Sequence, residues 1–82
     1  SSVTPGFIKN RIYPNPVREE LHIDHQGESA LAEIITLSGR TILKFRVEAG
    51  HNNVDIRQLR NGMYLLRISS NDTMESHLFI RQ

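Results

Sequence analysis

Apolar and polar residues alternate in short runs along this chain, and no long stretch places apolar side chains at i, i+3, i+4 and i+7. A period of two belongs to strands with one buried face and one wet face. Phe7 to Tyr13 reads as the first such strand. Pro14-Asn15-Pro16 ends it, because neither proline can donate to a ladder. Leu21-His22-Ile23-Asp24 alternates cleanly, with Leu21 and Ile23 facing the core, and Gln26 to Ser29 is the turn after it. Leu31 to Leu37 is the third strand, with Ala32 and Ile34 inward. Ser38-Gly39 supplies a tight hairpin turn, since glycine reaches positive φ without steric cost. Thr41 to Val47 returns as the fourth strand. Ala49 to Asn53 reads as a loop, and Val54-Asp55-Ile56 as a short fifth strand with Asp55 toward solvent. Arg57 to Asn61 forms a compact turn with Leu59 tucked inward, and Gly62 restarts the chain. Met63 to Ile68 places Tyr64, Leu66 and Ile68 on one face. Ser70 to Thr73 is a polar hairpin turn in which Asp72 bonds its own backbone. His77 to Arg81 is the last strand.

About seven strands at ~8–12-residue spacing predict an all-β, Ig-like antiparallel β-sandwich. A barrel of this size has little interior to fill. The 82 residues suffice for one domain and not for two. A chain this short buries only ~60–65% of the surface its unfolded form exposes, so the core is thin. Ser1 to Gly6 is small and polar, with Pro5 and Gly6, and reads as the end of a linker; residues 7–82 are the domain.

Composition narrows the function. The net charge of +1 leaves no basic footprint for nucleic acid. No apolar run approaches the ~20 residues that span a bilayer, and the start shows no signal-peptide pattern. Cysteine is absent, which excludes a thiol nucleophile, disulfide staples and cysteine-held metals. Of the four histidines, His22 and His25 lie three apart on a strand and point to opposite faces. His51 falls in a loop and His77 near the last strand. The expectation is exposed strand histidines and no metal site. A hydrolase built on His22 and His51 needs the two rings within ~5 Å of each other to share one ion. Asp24, Asp55 and Asp72 show no sign of aiming two carboxyls at one pocket. There is no Gly-x-Ser-x-Gly elbow and no Gly-rich phosphate cradle. Neither a catalytic residue nor a cofactor is expected. Tyr13, Tyr64, Phe7, Phe45 and Phe79 are spread over separate strands, as core or edge residues rather than a carbohydrate-stacking platform.

Several motifs stand in order. Tyr13-Pro14-Asn15-Pro16-Val17 comes first, then Leu21-x-Ile23, Ala32-x-Ile34 and Leu37-Ser38-Gly39-Arg40. Gly50-x-Asn52 then leads to Val54-Asp55-Ile56, and Leu59 precedes Gly62-Met63-Tyr64-Leu65-Leu66-Arg67-Ile68. Over about residues 8 to 82 this ordered set resembles the C-terminal sorting domain of the type IX (Por) secretion system, type A. Each motif also has a folding role. The prolines hold Tyr13 and Asn15 extended, Gly39 permits the hairpin with Arg40 exposed behind it, Leu59 plugs one end of the core, and Gly62 lets the chain reverse before the Tyr64 strand.

The resemblance implies that the domain rides at the C-terminus of a cargo polypeptide and directs it through the type IX outer-membrane translocon. The cargo passes through the periplasm to the outer membrane and cell surface or is secreted. An outer-membrane shuttle protein receives the domain, and a sortase-like protease usually removes it. No enzyme activity, cofactor, nucleic acid or membrane span is implied. The export signal carries over to Leu78, Phe79, Ile80, Arg81 and Gln82. The family often has a lysine ahead of the final apolar residues; here His77 and Arg81 flank Leu78-Phe79-Ile80. A last strand at a sheet edge offers unpaired backbone groups for strand addition. Cleavage is expected at or before the Ser1–Gly6 linker, since proteases accept flexible exposed segments. The alternative is a retained Ig-like binding or spacer module of a surface protein, recognising carbohydrate or protein.

Overall fold

The computed structural model of the protein describes residues 10–71 and 73–82. Seven strands follow one another: β1 (Asn10–Tyr13), β2 (Glu20–His25), β3 (Ala30–Thr36), β4 (Thr41–Val47), β5 (Gly50–Asp55), β6 (Gly62–Ser69) and β7 (Met74–Arg81). They form two antiparallel sheets, ordered β1-β2-β5 and β4-β3-β6-β7. The fold is thus the all-β sandwich that alternation predicts. The linker over residues 1–6, the Phe7 start of the first strand and the Asp72 turn contact lie outside the described residues.

The dry layer between the sheets is built from alternate positions. Leu21 and Ile23 of β2 face Ala30, Ala32 and Ile34 of β3, Tyr64, Leu66 and Ile68 of β6, and Phe79 of β7, all buried. Val17 and Ile56, from the connections, close the ends, and Leu59 packs against them as expected. Tyr64 and Phe79 sit opposite each other in the β6–β7 register with rings stacked at 5.7 Å. The Tyr64 hydroxyl donates to the Arg60 carbonyl at 2.6 Å, so its one polar atom is satisfied at the edge of the core. Gly39 takes φ +98° in the β3–β4 hairpin, a region closed to most side chains.

Two boundaries differ from expectation. The segment read as a loop, Ala49 to Asn53, is mostly strand, because β5 starts at Gly50 and ends at Asp55 before Ile56. Its inward positions, Gly50 and Asn52, give no apolar signal. The Asn52 amide instead donates to the carbonyls of Glu48 (2.8 Å), Gly50 (3.2 Å) and Ile23 (3.4 Å). β7 starts at Met74 rather than His77, since its ladder with β6 runs on to the Ser69–Met74 pair; the inner-side residues there, Glu75 and His77, are polar and bond each other at 3.1 Å.

Candidate functional site

β7 lies at the open edge of the four-stranded sheet. Period two splits its residues between faces. Phe79 is 1% exposed and belongs to the core, whereas Leu78 (57%), Ile80 (38%) and Met74 (64%) stand out on the far side. On that outer face Leu78 opposes Leu65 and Ile80 opposes Met63, so a band of apolar side chains runs beside the edge. Arg81 turns back to the body: its Nε donates to the Ile56 carbonyl at 3.1 Å and its Nη2 to the Arg57 carbonyl at 3.2 Å. The side chain of Gln82 is exposed. Of the five residues expected to form a signal, two face solvent as apolar side chains, one is core, one is a tether and one is an exposed glutamine.

The edge is not open along its whole length. The Ile80 amide donates to Asn15 Oδ1 at 3.0 Å, and the Ile80 carbonyl accepts the Val17 amide at 2.7 Å. The Gln82 amide donates to the Val17 carbonyl at 2.8 Å. The expectation of unpaired backbone over residues 77 to 82 is therefore corrected: the Asn15–Val17 segment already fills the edge at 80 and 82. Asn15 is the member of Tyr13-Pro14-Asn15-Pro16 that reaches the edge, and Val17 directly after the motif makes the two backbone bonds. Antiparallel ladders alternate bonded and non-bonded sides. The backbone groups of Met74, Ser76 and Leu78 hence point the same way as those of Ile80, to a side where β7 has no strand neighbour among the described residues.

A second cluster occupies the outer face of the three-stranded sheet. Register sets Tyr13 beside His22 and His22 beside Asn53, and in the next row Arg11 beside Asp24 and Asp24 beside His51. Strand alternation sends all six outward. His51 Nδ1 donates to Asp24 Oδ1 at 2.7 Å, and the Tyr13 hydroxyl donates to the same oxygen at 3.2 Å. The His51 bond holds the Asp24 carboxyl below its ordinary range, and the reciprocal bond raises His51 above 6.5. Partial desolvation, then the Asp24 charge, raises the Tyr13 phenol. His22 Nδ1 stands 2.7 Å from Asn53 Oδ1 and 3.3 Å from His51 Nε2. The two imidazoles, expected as exposed histidines without a shared site, are partly exposed and have centroids 5.2 Å apart. Sequence reasoning missed this pairing because it put His51 in a loop. The alternation of His51, Asn53 and Asp55 against Asn52, Val54 and Ile56 was the signal for it. His25, on the opposite face of β2, is buried, with its ring nitrogens on Asn10 Oδ1 (2.6 Å) and the Glu28 carbonyl (2.7 Å). Among the described residues, no three or more His, Cys, Asp or Glu side chains converge as a ligand set.

The carbohydrate platform needs at least two exposed coplanar aromatics. Tyr64 and Phe79 are in the core, Phe45 packs against it, and Phe7 lies outside the described residues. A recess of about 660 Å³ opens at the end of the sandwich between the β2–β3 and β6–β7 turns, where His25, Glu28, Arg46 and Glu75 line it. His25 is already committed there to Asn10 and Glu28. No helix of the described residues is long and apolar enough to cross a membrane.

The model of one protein family, described as a secretion system C-terminal sorting domain, matches residues 11–82. Comparison with curated proteins and with solved structures gave no match.

Proposed function

The chain belongs to the secretion system C-terminal sorting domain family, the sorting signal of the type IX pathway, and we propose that its β7 edge is the element the export machinery reads. Membership makes the protein that carries it a secreted or surface-exported one. The finer reading rests on one observation: Met74, Ser76 and Leu78 turn their backbone groups to a sheet edge that no other strand of the described residues pairs with, beside exposed Leu78 and Ile80. Main-chain pairing with an incoming strand supplies affinity, and the apolar band supplies side-chain specificity. Phe79 and Arg81 act from behind, fixing the strand to the core and to the Ile56–Arg57 turn. Asn15 and Val17 bound the docking site at Ile80.

In this reading the domain has no catalytic role. Cargo lies upstream of residue 7, residues 1–6 link the two, and the sortase-like protease cuts at or before that linker after passage from the periplasm through the translocon. The outer-membrane shuttle protein is the receiver of the exposed edge. The test fuses residues 1–82 to a neutral periplasmic reporter in a type IX-competent strain and follows the reporter's location and mass. Surface or medium reporter with loss of the domain's mass is the expected outcome. Reporter that stays in the periplasm sinks the sorting reading. Exported reporter that keeps residues 7–82 favours the retained-module alternative over cleavage.

A further inference from the structure

We propose that the outer face of the β1-β2-β5 sheet is a bis-histidine site for a late first-row divalent cation, typified by Zn²⁺. His22 Nδ1 and His51 Nε2 are its ligands, the Asn53 carbonyl oxygen a third donor, and Asp24 the carboxylate that orients His51. Two nitrogens each 2.0–2.1 Å from a tetrahedral zinc stand about 3.3–3.4 Å apart. The facing nitrogens of His22 and His51 are 3.3 Å apart. Asn53 Oδ1 is hydrogen-bonded to His22 Nδ1 at 2.7 Å, a contact that must lengthen by about 0.6 Å for both atoms to ligate one ion.

The far nitrogen of His51 completes the pattern on its side. A metal-bound imidazole usually gives its other N–H to a carboxylate, which fixes tautomer and ring orientation. His51 Nδ1 already donates to Asp24 Oδ1 at 2.7 Å, which leaves Nε2 as a lone pair toward His22. His22 Nε2 faces Glu20 Oε1 at 3.7 Å. Without the ion, one proton on His22 Nδ1 is shared toward Asn53 Oδ1 and His51 Nε2. Binding moves that proton to Nε2, on the Glu20 side, and opens Nδ1 to the cation. Both rings are partly in water, and the remaining coordination positions go to solvent. Two facts make the site a product of this fold rather than of composition. It needs β5 in register with β2, so that Asn53 opposes His22 and His51 opposes Asp24. It also sits on the sheet that does not contain β7, so it stands whether or not β7 is the docking element. Occupancy links edge strand β5 to central strand β2.

The experiment titrates the 82-residue chain with ZnCl₂ by calorimetry and by imidazole nitrogen-15 NMR. One saturable equivalent is expected, shifting His22 and His51 but not His25 or His77, with a melting temperature that rises with free zinc. His51→Ala and, separately, His22→Gln should each weaken binding at least ~10-fold. Asp24→Asn should weaken it ~10–100-fold, the usual cost of losing an orienting carboxylate. Absence of saturable binding overturns the site. So does affinity unchanged in either histidine variant, or a response carried by His25 or His77. An Asp24→Asn variant that binds as tightly as the parent removes Asp24 from it.

Discussion

Replacing Phe79 by alanine separates what β7 does for the fold from what it does at the surface. The Phe79 side chain is 1% exposed and stacks on Tyr64 at 5.7 Å. Removing a buried phenylalanine ring costs about 3–5 kcal/mol, from lost transfer free energy and the cavity left behind. The stacked pair supplies about 0.5–1.5 kcal/mol of such a loss beyond area burial. An 82-residue domain has a total stability of roughly 4–12 kcal/mol at the usual margin per residue. Phe79→Ala therefore leaves the domain marginal. Its neighbour Leu78 is 57% exposed, and truncation there should change stability by no more than about 0.5 kcal/mol. Urea unfolding followed by circular dichroism gives both numbers. The thermal midpoint should fall by at least ~10 °C for Phe79→Ala, since each kcal/mol is worth ~4–8 °C in a domain of this size. A loss below about 1 kcal/mol for Phe79→Ala, or equal losses for the two variants, would refute the division of β7 into a core face and a free face.

Three further changes probe other parts of the structure. Asn15→Ala removes the acceptor of the Ile80 amide and should cost about 0.5–1.5 kcal/mol; hydrogen exchange should quicken at Ile80 while the β6-bonded Phe79 amide stays protected, and unchanged exchange at Ile80 contradicts the clamp. Gly39→Ala places a side chain at φ +98° with no atom within 4 Å of its Cβ, so strain alone should cost about 1–2 kcal/mol; a neutral result in thermal melts speaks against that turn geometry. In chelated buffer His51 should titrate above 6.5 and Asp24 below 3.8 by NMR. The His51 contribution is present below 6.5 and is lost as pH rises through its raised value, while the Asp24 contribution is present above 3.8 and is lost as pH falls through its lowered value. The pair thus favours the fold most between those limits, and an unaltered His51 midpoint in Asp24→Asn contradicts the assignment.

The strands with one dry face were legible because their apolar residues must alternate: Leu21 with Ile23, Ala32 with Ile34, and Tyr64 with Leu66 and Ile68 all face inward. β5 was harder to read at its start. Its inward residues there are Gly50 and Asn52, and Asn52 serves the backbone rather than the core. The two sites depend on pairings between distant segments, which local patterning does not encode. Asn15 meets Ile80 across 65 residues. His22 meets His51 across 29, by the register of β2 with β5. Phe79 looked like part of an apolar signal because Leu78-Phe79-Ile80 is continuous in sequence, yet a strand sends its middle member to the other face.

The docking role of the β7 edge is tested most directly by Ser76→Pro in the reporter fusion. The Ser76 backbone faces away from β6, so proline there removes an outward donor and leaves the β6 ladder intact. With the variant shown by circular dichroism to keep its strands, periplasmic retention of the reporter is the result expected. Normal export of the folded Ser76→Pro fusion contradicts recognition by strand addition at β7.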